Sequence, residues 1–264
     1  MDALKSLAVL IVVGSVSASA AAAQEGVDDS QIDLVIELGF GGRAQPSYEG
    51  SDDYEISPFP VIGFGYLNLP GLFTIGSLEP SSGGLSFGPA FNYISDRDFD
   101  RDADLQGLND VDATFEAGLR VGYEWKNAEV WGEARYAFGG AEGLVGELGV
   151  NAIARPTNAL ELRAGPFASF ASDGYTDTYF GVTDEESAAT GGSVGSFNPS
   201  GGFKSVGVKA IARYEFRPNW FLNADASYAK LVGDAADSPI VVAGDEAQFT
   251  FGLGISRKFS LDLF

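Results

Sequence analysis

The 264-residue sequence contains no cysteine and no histidine. The missing cysteine excludes disulfides, thiolate metal sites and cysteine nucleophiles. The missing histidine removes the most common general base, the most common metal ligand and every Ser–His catalytic arrangement. Basic residues are scarce too, with 16 Lys and Arg against 37 Asp and Glu, for a formal charge of −21. This balance argues against a nucleic-acid partner, because phosphate recognition needs clustered Lys and Arg.

Long apolar runs are missing as well. After Gln24 no window holds the ~18 continuous apolar residues of a transmembrane helix. Before it, Lys5 precedes an apolar stretch, Leu7–Val13, and three consecutive alanines offer a small-residue cleavage site. We therefore predict a signal peptide over residues 1–23 and one exported domain over residues 24–264. An N-terminal anchor is the less favoured alternative, because the stretch is shorter than a bilayer span.

The apolar residues of the exported part recur with a period of two. In Ala113–Trp125 the odd positions are apolar and the even positions are polar or glycine. The same alternation starts at Ile32, Leu85, Leu160, Val206 and Phe249. These segments run for about nine to thirteen residues, whereas soluble strands average about five to six and a transmembrane strand needs about nine to eleven. The pattern predicts an all-β fold, a transmembrane antiparallel up-and-down β-barrel.

The two faces of these segments support the same fold. Aromatic residues stand near the ends of the apolar faces, as in the girdles of outer-membrane barrels: Tyr93, Tyr123, Trp125, Tyr136, Phe138, Tyr214, Phe216, Trp220 and Tyr228. The opposite faces, predicted to line the lumen, carry charges: Glu37, Glu116, Glu124, Glu133, Glu147, Glu161, Asp225, Arg120, Arg135, Arg155, Arg163, Lys209 and Arg213. A secreted soluble barrel is the alternative, but barrels of that kind fill their interior with apolar residues.

The connections predict an orientation and a strand number. Tight links at residues 126–127, 156–158 and 217–219 alternate with links predicted to be long, at residues 95–112, 139–143, 172–202 and 232–247. Short periplasmic turns and long outer loops are typical of outer-membrane barrels. Eleven segments are recognisable, one of them short (Leu72–Leu78), whereas bacterial barrels have an even number of strands. We expect twelve strands, or ten if the short segment does not span.

Acidic residues concentrate in the predicted outer loops. The loops over residues 44–55, 95–112, 172–190 and 232–247 carry a net −18 of the total −21. Within them five aspartates alternate strictly: Asp96, Asp98, Asp100, Asp102 and Asp104. This spacing is a weak candidate for a Ca²⁺ or Mg²⁺ site, because no frame supplies both the glycine and the glutamate of an EF-hand loop. A solvated acidic loop is the favoured interpretation, and no cofactor is expected.

Two sequence blocks carry a resemblance to a known family. The first is Pro46-Ser47-Tyr48-Glu49-Gly50-Ser51-Asp52-Asp53-Tyr54, followed by Pro58-Phe59-Pro60. The second runs from Leu231 through Gly233, Asp234, Asp237, Ser238 and Pro239 to Val241, followed by Gln248. Both resemble blocks of the MipA/OmpV family, the MltA-interacting outer-membrane proteins. Shorter blocks at residues 107–111 and 179–183 also resemble the family, and the blocks follow one another in the family's order. The resemblance therefore spans about residues 34–259.

The resemblance implies a protein of the Gram-negative outer membrane, in contact with lipid and lipopolysaccharide. It also implies a scaffold for cell-wall enzymes, with a lytic transglycosylase and a peptidoglycan synthase as partners. A surface adhesin and a narrow, cation-leaning pore remain alternatives. We do not expect an enzyme: the interior carboxylates stand among interior cations, which favours a ladder of paired charges over acid–base chemistry.

Overall fold

The computed structural model describes residues 32–76, 83–99 and 105–263. The fold is all-β apart from short helices in the loops, as the period-two pattern predicts. The strands are β1 (Leu34–Pro46), β2 (Tyr54–Leu69), β3 (Phe73–Gly76), β4 (Gly84–Ile94), β5 (Thr114–Trp125), β6 (Ala128–Gly139), β7 (Gly143–Thr157), β8 (Leu160–Ala171), β9 (Gly202–Arg217), β10 (Trp220–Leu231) and β11 (Ala247–Leu261). The predicted signal peptide lies outside the described residues.

All eleven strands belong to one curled antiparallel sheet. Its hydrogen-bonded order starts at β3, passes through β2 and β1 to β11, and then descends strand by strand to β4. Leu34 pairs with Leu261, so the first and last strands lie side by side. Ten strands are 11 to 16 residues long, whereas β3 has four residues. The ten-strand alternative is therefore the one that fits. Twelve spanning strands would require β3 to span and to have a further spanning partner, and no such partner appears in the described ranges.

The strand faces confirm the predicted inside and outside. Leu119, in the middle of β5, is 51% exposed, while its neighbour Arg120 turns inward and contacts interior carboxylates. The outward aromatics also contact one another along the belt, with ring centroids 5.0 Å apart for Tyr93 and Phe115 and 6.1 Å for Phe115 and Phe138. The wall is thus apolar outside and charged inside, which is the arrangement that a barrel in lipid requires.

Four short helices lie in the loops: α1 (Asp173–Phe180), α2 (Asp184–Ala189), α3 (Asp234–Asp237) and α4 (Pro239–Ala243). No helix among the described residues is long and apolar enough to cross a membrane. One of our expectations about loops is wrong, because the link between β6 and β7, predicted to be long, is only residues 140–142. The loop over residues 172–202 is long, as predicted, and it is folded and packed.

Candidate functional site

The lower half of the lumen, near the short turns, is filled by six paired charges. We call them the lower ion cluster: Glu124, Glu129, Glu161, Arg120, Arg155 and Arg163. Strands β5 to β8 supply them, because alternate residues of each strand point inward. Arg163 is the hub and donates to Glu124, Glu129 and Glu161 at 2.8, 3.0 and 2.8 Å. Three cations and three carboxylates of four neighbouring strands therefore neutralise one another inside the lumen.

The remaining contacts of the lower ion cluster give every member at least two partners. Arg155 contacts Glu124 at 2.6 Å and Glu161 at 2.7 Å. Arg120 contacts Glu129 at 3.2 Å and lies 4.0 Å from the ring centroid of Trp131. Sequence reasoning missed Glu129, although it has the same parity as Glu133 and Arg135, which were predicted to face the lumen. Charges that neutralise one another in this way have a structural role, because they occupy the lumen with polar groups whose hydrogen bonds are satisfied.

The upper half of the lumen holds further pairs around a cavity of about 320 Å³. Lys209 donates to Glu147 at 2.8 Å, and Arg135 donates to Glu116 at 2.7 Å and also contacts Glu133. Two pairs that sequence reasoning did not name also line the cavity: Lys204 with Glu49, and Arg43 with Asp225 at 3.6 Å. The lining carries both signs of charge in equal number.

The outer loops close the top of the barrel. We call these residues the outer cap: 47–53, 95–99, 105–113, 172–201 and 232–246. One apolar cluster joins α1 and α3 to the barrel rim, and it contains the buried Tyr175, Tyr179 and Phe180. A second cluster joins the first loop to the others, with the rings of Tyr48 and Phe99 at 5.5 Å in an edge-to-face arrangement. The cap thus has an apolar core of its own.

Buried polar groups pin the outer cap to the wall. The Tyr179 hydroxyl donates to Thr114 Oγ1 at 2.8 Å, and burial raises the pKa of Tyr179 to about 12. The Arg97 guanidinium donates to the carbonyls of Tyr179 and Thr178 at 2.9 and 3.1 Å, and burial lowers its pKa to about 10. Burial also raises the pKa of Tyr175 well above its usual value. These groups keep one protonation state throughout the physiological pH range.

The two family blocks meet in the outer cap. Gly50 of the first block donates its N–H to Gln248 Oε1 at 3.1 Å, and its carbonyl accepts from Asp245 N at 2.8 Å. Its φ of +100° and the position of Val241 Cγ2, 2.5 Å from where a β-carbon would stand, require glycine. The block thus joins the first loop to the last through hydrogen bonds and close packing.

The other motif residues have structural partners or lie at the rim of the cap. Ser51 Oγ accepts from Asp53 N at 3.1 Å, while Ser238 Oγ donates to the carbonyl of Phe180 at 2.7 Å. Asp234 accepts from Ser200 N at 2.7 Å, one residue after the turn at Gly233. Pro46 ends β1, Tyr54 begins β2, Pro239 begins α4, and Asp52 and Asp53 are exposed. The motif therefore serves the architecture of the cap.

The alternating aspartates fall only partly within the described residues. Asp96 is exposed and Asp98 is half-buried beside the pinned Arg97, whereas Asp100, Asp102 and Asp104 lie outside the described residues. Within the part of the chain that the structure describes, no group of three Asp or Glu side chains is arranged to hold a metal ion. The weak cation-site hypothesis therefore stays a prediction for the undescribed part of this loop.

A wall that is apolar outside, a charged lumen, short turns at one end and long loops at the other define an outer-membrane β-barrel protein. Comparisons agree. "Putative outer membrane protein YiaT" of Escherichia coli O157:H7 is 28% identical over 188 residues, 69% of each chain. The protein of the same name from strain K12 is 27% identical over 160 residues, 59% of this chain and 61% of that one.

The family described as "MltA-interacting protein MipA" matches residues 38–259. The chain therefore belongs to the MipA family, as its two sequence blocks predicted. Among solved structures, the outer membrane protein OprG from Pseudomonas aeruginosa is similar, with 12% identity and a TM-score of 0.34, over 88% of this chain and 98% of that one.

Proposed function

We propose that this barrel is a non-conducting, non-catalytic protein of the outer membrane that acts by binding partners. Its main partner is a periplasmic lytic transglycosylase, and a peptidoglycan synthase is the second. The single observation that carries the non-conducting role is the lower ion cluster, which places six charged side chains of the neighbouring strands β5 to β8 inside the lumen. The choice of partner rests on the family description, which names an interaction with MltA.

The non-catalytic part is supported by the pairing of the interior carboxylates. Glu116, Glu124, Glu129 and Glu147 each accept a hydrogen bond from an arginine or lysine. Each of these carboxylates is thus already engaged by a cation, and the sequence offers no histidine to serve as a general base. The apolar belt, in contrast, faces the lipid and lipopolysaccharide that surround the barrel in this proposal.

The periplasmic end offers a small docking surface. It consists of turns of two or three residues, in which Leu72 is exposed to 79% and Lys126 and Arg217 are also exposed. Such a surface favours a small or transient interface rather than an obligate one. Asn219, by contrast, is a structural turn residue, with φ +64° and a carbonyl that accepts from Lys258 N at 2.9 Å.

The experiment compares charge reversals at the two ends of the barrel. In cells, Lys126→Glu together with Arg217→Glu is expected to reduce co-purification of lytic transglycosylase. The matched control, Glu185→Lys on α2 in the outer cap, is expected to leave it unchanged. Heat-modifiable gel mobility verifies that each variant is assembled. Equal recovery of the enzyme with all variants would overturn the periplasmic docking surface.

An adhesin is the second candidate, and a specific observation favours it. The outer cap is a preformed, packed surface with two buried apolar clusters, and a rigid surface loses less conformational entropy on binding. In this candidate Glu185→Lys reduces attachment of cells to an external ligand, whereas the two periplasmic reversals do not. The narrow pore is the third alternative, and conductance in planar bilayers distinguishes it from the other two.

A further inference from the structure

One seam of the barrel wall differs from all the others. Every neighbouring pair in the sheet order is joined by a ladder of backbone hydrogen bonds, but among the described residues no ladder joins β2 to β4. The two strands nevertheless lie next to each other. A β-carbon at Gly88 would be 3.8 Å from that of Phe64, and Ser95 donates to Glu55 higher up. These two contacts bracket an unpaired stretch.

Prolines explain why the stretch is unpaired. Pro58 and Pro60 pair with Gly42 and Phe40 on β1, and Pro89 pairs with Leu119 on β5. Directly opposite residues of an antiparallel pair exchange either two hydrogen bonds or none, and proline has no N–H to exchange. The nitrogens of all three prolines therefore point away from those partners and into the seam. The seam lacks three donors, and all three positions lie within the bracketed stretch.

The upper cavity extends to β4, the strand on one side of this seam. Strand β10 contributes every second residue to the cavity lining, from Asp225 to Leu231, as expected for a paired strand. Strand β4 instead contributes four consecutive residues, Phe91–Ile94. Asn92 points inward and donates to Glu116, whereas Phe91 is 56% exposed on the outer face. A cavity lined by residues of both faces reaches the edge of the strand, where unpaired backbone is tolerated because it lines a polar cavity.

The mouth of the cavity lies at the level of lipid headgroups. Tyr93, beside the mouth, belongs to the outer aromatic belt through its contact with Phe115. Such belts sit at the membrane–water interface. Inside, the cavity presents a buried donor and a buried acceptor that have no partner among the described residues, Arg43 Nε and Glu49 Oε2. A ligand with one anionic and one cationic group matches both.

We propose that the β2–β4 seam is a lateral portal through which the cavity takes the headgroup of a zwitterionic phospholipid. The phosphodiester contacts Arg43, the ammonium contacts Glu49, and the acyl chains leave through the seam into the membrane. The balanced charge of the lining selects a zwitterionic headgroup over a purely anionic one. This inference does not depend on the identity of the periplasmic partner.

The first test measures which lipid the full-length mature protein retains. Purified protein is exposed to an equimolar mixture of palmitoyl-oleoyl phosphatidylethanolamine and phosphatidylglycerol, and retained lipid is counted by native mass spectrometry. Phosphatidylethanolamine is expected to be preferred. Glu49→Gln is expected to lower that preference about tenfold, which corresponds to about 1.4 kcal/mol. Glu185→Gln in the outer cap is the control and keeps the preference. Equal retention of both lipids by the wild type overturns the proposal.

The second test closes the portal reversibly. Its outcome does not depend on whether the variant of the first test folds. The chain has no cysteine, and the 3.8 Å between the two β-carbon positions suits a disulfide, so Phe64→Cys with Gly88→Cys forms a staple across the seam. Oxidised before lipid is offered, the stapled protein is expected to retain little phosphatidylethanolamine. Reduction of the same sample is expected to restore it. Identical retention by the oxidised and reduced forms overturns the portal.

Discussion

At the outer end of the barrel, Tyr175 and Phe180 are buried in an apolar core while acidic residues such as Glu185 are exposed, whereas in the lower lumen Glu129 is buried and Leu119 faces outward. One chain thus uses two opposite rules of burial. The cap is built like a small soluble domain, because it lies in water. The wall is inverted, because lipid surrounds it and the lumen is polar. The two ends are therefore expected to respond differently to the same type of substitution.

The largest effect is expected in the core of the outer cap. Tyr179→Ala removes a buried ring and the hydrogen bond to Thr114, at a cost of about 3–5 kcal/mol. Because the strand ladders are untouched, the cap opens while the barrel stays assembled. Limited proteolysis of intact cells is expected to cleave residues 172–201 rapidly, with unchanged heat-modifiable mobility. Loss of the assembled barrel would show that cap and wall are one cooperative unit.

The second-largest effect is expected in the wall, where apolar side chains face outward and charged side chains face the lumen. Leu119→Arg places a charge on the lipid face near the bilayer midplane, at a cost of about 2–4 kcal/mol. Arg120→Leu, one residue away, is expected to accumulate better, because Glu129 keeps Arg163 and Asn151 as partners. Outer-membrane levels of the two variants are the measurement. Equal accumulation of Leu119→Arg and wild type would mean that the facing of β5 is wrong.

Conductance tests whether the two ends close the lumen independently. Arg163→Ala removes the hub of the lower ion cluster, yet Glu124 and Glu161 keep Arg155. In planar bilayers wild type, Arg163→Ala and Tyr179→Ala are each expected to stay silent, because one closure remains in each. Only the double variant is expected to conduct, with a preference for cations given by the acidic rim.

The control for this experiment is Lys230→Ala combined with Tyr179→Ala. Lys230 forms a pair with Glu246 that is about half exposed and lies outside the lower ion cluster, so its loss has little energetic consequence. This double variant is expected to be silent. Conductance by Arg163→Ala alone would show that the cap is permeable.

The wall was predictable from the sequence and the cap was not. A period of two fixes which residues of a strand point inward, so the facing of Leu119 and Arg120 followed from parity alone. The cap depends on contacts between distant loops, such as Arg97 with Tyr179, 82 residues apart, and Gly50 with Gln248, 198 apart. Its apolar residues are scattered through polar loops, where no period reveals them. The seam was not predictable for the same reason, because β2 and β4 become neighbours only where the sheet curls round to close the barrel.

The smallest effect concerns α2, which links the fourth segment of the cap, to which it belongs, to the third. Thr183 Oγ1 accepts from Glu186 N at 3.2 Å, and Glu186 accepts from the N–H groups of Thr183 and Asn109 at 2.8 and 3.0 Å. Partial burial acts to raise the pKa of Glu186, but these hydrogen bonds outweigh it and hold the pKa below its ordinary value. A carboxylate with a lowered folded pKa stabilises above its unfolded pKa, and the contribution is lost as pH falls through the folded value.

Acidification below pH ~4, the ordinary range of a glutamate pKa, is therefore expected to lower the hydrogen-exchange protection factors at Asn109 and Thr183, which are corrected for the intrinsic pH dependence of exchange. Glu186→Gln is expected to remove that pH dependence, because glutamine does not titrate. Thr183→Ala is expected to destabilise α2 by about 1 kcal/mol at neutral pH, since it removes the N-cap side chain but leaves the carboxylate. Exchange in the strands serves as the internal control and should not change. An acid response that persists in Glu186→Gln would assign it to the other carboxylates of the cap, and the fastening of α2 would then rest on packing alone.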